Sequence, residues 1–154
     1  MRALLASLLH RLHAFRQAGT RATGVAPATR VYAQPRIEAG STLHTMAGLD
    51  PTEAAAFADA FAAEIDRAIA QCTLGDAASS HAQALQQIHS LKNTISLTGS
   101  QELLKACDQL RSDVERGAFG DMLAHRFTAV ATAAGLLVRQ YRRTLPLDGA
   151  EPHA

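Results

Sequence analysis

From Asp50 onward, apolar side chains return every three or four residues, the spacing that gathers them on one face of a helix. Phe57, Phe61, Ile65, Ile69 and Cys72 make the first row. It opens at Asp50-Pro51-Thr52-Glu53, where Asp50 can cap, Pro51 suits the first helical position and Glu53 stands where a capping box wants a carboxylate. Gly75-Asp76 ends it. A second helix is predicted from Ser79 or Ser80 to Thr98, with Ala84, Ile88, Leu91 and Ile95 inward and Gly99 as its stop. A third runs from Ser100 to Arg116 along Leu103, Cys107, Leu110 and Val114, and stops at Gly117. A fourth runs from Phe119 to Arg143 along Phe119, Leu123, Phe127, Val130, Ala134, Leu137 and Tyr141, and Pro146 closes it. Helices joined by short loops lie antiparallel, so the pattern predicts an all-α fold, an antiparallel up-down four-helix bundle over residues 49–145.

Upstream the period changes. Leu4, Leu5, Leu8, Leu9, Leu12 and Phe15 form a stripe over residues 1–17, predicting an additional N-terminal amphipathic helix. Its apolar face needs a cover, and protein contact or self-association is favoured over a membrane surface. Glycines, threonines, Pro27 and Pro35 interrupt any period across residues 18–48, which read as a linker, and residues 146–154 read as a flexible tail.

Composition supports helix, because alanine, leucine, arginine and glutamine dominate and β-branched residues are thin. A formal net charge of +1 argues against a protein that gains its affinity by neutralising nucleic-acid phosphates. That charge is unevenly placed: six arginines and one acid, Glu38, precede Met46, and nine basic residues and thirteen acids follow it. Cys72 and Cys107 sit at apolar helical positions, and two lone thiols make no disulfide framework, which fits a reducing cytosol. The opening Met1-Arg2-Ala3-Leu4-Leu5 starts like an export signal, but His10, Arg11 and His13 interrupt it and no cleavage site follows. Cytoplasmic location is the expectation.

On the second predicted helix, His89 lies roughly 130° from the centre of the apolar sector when residues advance by about 100°. It should face water, among Leu85, Gln86, Lys92, Asn93 and Ser96. A histidine kept for packing belongs on the apolar stripe, whereas a nucleophile that another protein must reach belongs outside it. A solvent-facing imidazole can offer one ring nitrogen to phosphorus. Lys92, one turn on, can offer a cation to phosphoryl oxygens, and Gln86, one turn back, a hydrogen bond.

The string His89-Ser90-Leu91-Lys92-Asn93-Thr94-Ile95-Ser96-Leu97-Thr98-Gly99, followed by Leu103, Cys107 and Leu110, resembles the signature of histidine-containing phosphotransfer domains. That family shows His-x-Leu-Lys-Gly, a glycine ten residues after the histidine, then spaced leucines with a small residue or cysteine. The resemblance covers about Leu49 to Arg143. It implies an HPt-like bundle in which His89 is the phosphoacceptor and Lys92 stabilises the phosphoryl group, with Gln86 an orienting neighbour; Asn93, which the family does not have, would either crowd the partner or hydrogen-bond the phosphoryl group. It also implies that receiver domains dock around Leu85 and Ser96, the partners being response regulators and a hybrid sensor kinase. The receiver would supply Mg²⁺, and this chain would bind no cofactor of its own. Two positions depart from the family pattern: Asn93 replaces a glycine whose smallness admits the partner's aspartate, and Arg111 replaces a frequent acid. No glycine-rich phosphate loop accompanies the motif, so a carrier without kinase activity is expected.

Other constellations carry less. His10 and His13 stand three apart but lack a third metal ligand nearby, and no metal site is expected. His44, His81, His125 and His153 are scattered, and Asp113 with Glu115 reads as a solvated face. The rival reading is a non-catalytic helical adaptor or dimerisation module in which His89 is incidental.

Overall fold

Side-chain caps written in the sequence start every described helix but the last. Ser80 and Gln83 form a reciprocal capping box: the Ser80 hydroxyl accepts from Gln83 N at 3.1 Å, and the side-chain Oε1 of Gln83 accepts from Ser80 N at 2.8 Å. Asp50 Oδ1 accepts from the amides of Thr52 and Glu53, each at 3.1 Å, and Pro51 takes the first helical position. Glu53 does not close a box there, because the Asp50 amide already donates to Met46 O at 2.8 Å and ends a preceding helix.

The structure, a computed structural model, describes residues 34–146. Five helices and no strand occur among the described residues: α1 Thr42–Leu49, α2 Pro51–Ala70, α3 His81–Ser96, α4 Gln101–Glu115 and α5 Asp121–Arg142. The protein is all-α there, as the periodicity predicts. The expected helix over 1–17, with His10 and His13, the part of the expected linker over 18–33, and the tail after Pro146, with His153, lie outside the described residues.

Helix α1 falls inside the stretch read as a linker. Its threonines and flanking glycines suppress local helix propensity, so tertiary contact decides the outcome. Ser41 caps it by accepting from His44 N at 3.2 Å, and Leu43 is wholly buried. The segment also satisfies carbonyls left open at the end of α3: Glu38 N donates to Thr98 O at 2.9 Å and Leu43 N to Leu97 O at 3.1 Å. Gly99 turns the chain here with φ +68°, and a Cβ on it would sit 3.0 Å from Glu38 Cβ, so the glycine serves both the turn and the packing of this segment.

One core joins the helices. Phe61, Ile65, Ile88, Leu91, Ile95, Cys107, Leu110, Phe127 and Val138 are all buried in it. Across α2 and α5, Arg139 Nη2 donates to both oxygens of Asp66, at 2.9 and 2.8 Å, and Arg142 Nε to both of Asp59, at 3.3 Å. Asp113 of α4 is largely enclosed and accepts from Arg126 of α5 at 2.6 Å, from Arg116 at 2.6 Å and from Gln109 at 3.0 Å. Those donors hold its carboxyl down to about 2, so Asp113 joins two helices where a solvated face was expected.

Helix α5 departs from its predicted seam. Phe119 is 89% exposed and precedes the helix, which starts after Gly120 at φ +100°. The buried row is Leu123, Phe127, Ala131, Ala134, Gly135 and Val138, while Val130, Leu137 and Tyr141 pack at its margins. No described helix is long and apolar enough to cross a membrane.

Candidate functional site

Ile88 and Leu91 anchor the inner face of α3, which turns His89 outward between them and leaves it exposed. His89 lines an open groove between α3 and α4 together with Leu85, Gln86 and Lys92 from its own helix and Cys107, Asp108 and Arg111 from the next. Three of the expected site residues therefore stand with the histidine along one groove.

Asn93 joins them directly. It lies one turn beyond His89, and its Nδ2 donates to His89 Nε2 at 3.2 Å. Ser96 is exposed a further turn on and does not line the groove; its hydroxyl donates to the Asn93 carbonyl at 2.6 Å. Leu85 is half-buried and presents an apolar edge beside the ring. Gln86 is exposed, and among the described residues its side chain makes no hydrogen bond to His89.

Lys92 is engaged elsewhere than expected: its Nζ donates to Asp108 Oδ1 at 2.5 Å, across the groove. Side-chain exposures of 38% and 56% make this a screened pair, worth no more than about 1 kcal/mol. An ammonium held this weakly can exchange its carboxylate for another anion. Asp108 was not singled out from the sequence, yet a signal exists: Lys92 follows buried Leu91 and Asp108 follows buried Cys107, so opposite charges flank facing apolar positions on adjoining helices.

Beneath the groove, burial, and after it the Asp108 carboxylate, push the Cys107 thiol up to about 11, partly offset by Lys92. Such a thiol stays protonated and does not compete with the imidazole as nucleophile. Arg111, the second departure from the family pattern, donates to Glu115 on its own helix at 2.9 Å. Among the described residues no three His, Cys, Asp or Glu side chains gather to hold a metal ion.

No protein-family model matches the chain, and neither a curated protein nor a solved structure does. What this face can do chemically follows from its side chains. One exposed imidazole is the only good nucleophile in the groove, an amide touches its Nε2, and a displaceable cation stands one turn away.

Proposed function

We propose that this chain is a phosphorelay intermediate, in which His89 accepts a phosphoryl group from a receiver-domain aspartate and passes it to another receiver. The observation that carries the reading is His89 itself, exposed on a groove whose floor is packed and whose mouth is open. In the transfer, the Nε2 lone pair forms the N–P bond, the P–O bond to the aspartate breaks, and its electron pair leaves on the carboxylate. The receiver would hold the Mg²⁺ that neutralises most of the developing charge, while this chain supplies the nucleophile and Lys92. Lys92 leaves Asp108 for a phosphoryl oxygen, and the side-chain amides of Gln86 and Asn93 donate to the same group in this reading. Leu85 beside the ring, and Ser96 two turns further along α3, are the docking positions for the receiver.

Helices α2 to α5 act in this reading as a rigid presenter, an HPt-like antiparallel up-down bundle. Support for that arrangement comes from the crossed order of the α2–α5 ion pairs, Asp59 with Arg142 and Asp66 with Arg139. It also comes from the α2–α3 and α4–α5 turns meeting at one end, where a Cβ on Gly75 would lie 2.3 Å from Gly120 O. The partners are cytoplasmic response regulators and the receiver of a hybrid sensor kinase, and the chain carries phosphate without cleaving a nucleotide.

Incubation of the full chain with a phosphorylated receiver and Mg²⁺ tests the proposal. A carrier acquires acid-labile label that disappears in His89→Gln. A helical adaptor acquires none.

A further inference from the structure

The cation expected beside the nucleophile is held by Asp108, and the side chain that reaches the His89 ring is Asn93. Its Nδ2 carries hydrogens and has no lone pair to offer, so the ring nitrogen 3.2 Å away accepts and is the unprotonated one. In a neutral imidazole the hydrogen then resides on Nδ1.

We infer that Asn93 is a positioning residue that selects the Nδ1–H tautomer of His89 and so keeps the Nε2 lone pair available for attack. The part concerning attack rests on the phosphocarrier reading above; the tautomer is a property of the resting chain. A free histidine side chain favours the opposite form, with the hydrogen on Nε2, in which that nitrogen has no pair to give. Glycine, the residue that the motif resemblance leads one to expect at position 93, would leave more room for a visiting aspartate but would hold no proton in place. Asparagine trades some of that room for a ring already in the reactive form.

The contact is weak enough to be broken in the reaction. Both residues are exposed, so a hydrogen bond between them competes with water. On attack the Nε2 pair turns from the amide hydrogen to phosphorus, the N–P bond forms, and the P–O bond to the receiver aspartate breaks with its electrons on the carboxylate. The ring keeps its Nδ1 hydrogen until water takes it. The released Asn93 amide is then adjacent to the new phosphoryl oxygens.

Long-range proton–nitrogen correlation NMR on the full, unphosphorylated chain reads the tautomer of the neutral ring. The expected result is a His89 ring protonated at Nδ1, with the tautomer ratio shifted about fivefold towards Nε2–H in Asn93→Ala, as loss of one net hydrogen bond of about 1 kcal/mol would give. In Asn93→Asp, whose carboxylate only accepts, the hydrogen moves onto Nε2 and the initial rate of labelling by a phosphorylated receiver falls at least about fivefold. A ring protonated at Nε2 in the unaltered chain, or a ratio unmoved in Asn93→Ala, overturns the inference. No label in any variant, with the ratio moving as expected, rejects the phosphocarrier and leaves the tautomer assignment standing. Normal labelling with an unmoved ratio does the reverse.

Discussion

Where α2 meets α5, small residues let the helices close up. Ala54, Ala58, Ala131 and Ala134 are buried, Gly135 lets Ile65 and Arg139 lie close against it, and two arginines grip carboxylates across the seam. Where α3 meets α4 the floor is packed as well, by Ile88, Leu91, Cys107 and Leu110, but above it lies an open groove bridged by Lys92 and Asp108. The two sides divide the work. A tightly joined pair of helices can hold the shape while the other pair leaves polar groups solvated and free to change partners, which a residue that must be visited requires.

Ile65→Ala should produce the largest change, a loss of about 2–5 kcal/mol in denaturant unfolding, because it removes most of a buried side chain and leaves a cavity in the core. A loss below about 1 kcal/mol would mean that the α2–α5 side is not the more tightly built one. Acid should act next. The Asp113 carboxyl, held down to about 2 chiefly by Arg126, then by Arg116 and Gln109, is depressed in the folded chain. Its contribution is therefore present above the ordinary aspartate range and is lost as pH falls from about 4 towards 2. Unfolding followed over that range should show a steeper acid limb in the unaltered chain than in Asp113→Asn. The smallest effect on stability is expected in the groove. Leu85→Ala should cost no more than about 1 kcal/mol, yet slow phosphotransfer from a receiver, because the side chain is only half-buried and edges the docking face. Equal transfer rates would remove Leu85 from that face.

Much of this was legible in the residues. Ala84, Ile88, Leu91 and Ile95 were expected inside and are buried, as are Leu103, Cys107, Leu110 and Val114, because large residues at strict spacing on a two-sided helix leave one solution. The outward turn of His89 follows from the same wheel. Helix α1 was hidden because its stability lies in Leu43 and in the borrowed carbonyls of Leu97 and Thr98, partners far away in sequence. In the α5 seam Leu123, Phe127 and Ala134 are expected inside and are buried, but size alone favours Val130, Leu137 and Tyr141, whereas the buried row takes in Ala131, Gly135 and Val138, with Gly135 close against Ile65 of α2. In the groove, the nearness of Gln86, Lys92 and Asn93 to the histidine was readable from helical spacing. The capture of Lys92 by Asp108 was not, since it depends on how α3 and α4 face each other.

Site mapping is the most direct test of the phosphorelay reading. The chain is phosphorylated by a receiver, digested and analysed under alkaline conditions that preserve phosphohistidine. The expected result is phosphate on the peptide containing His89, at Nε2, removable by brief acid and by return to a dephosphorylated receiver. Phosphate on another residue, or a chain that takes none from any receiver tried while remaining folded, would contradict it.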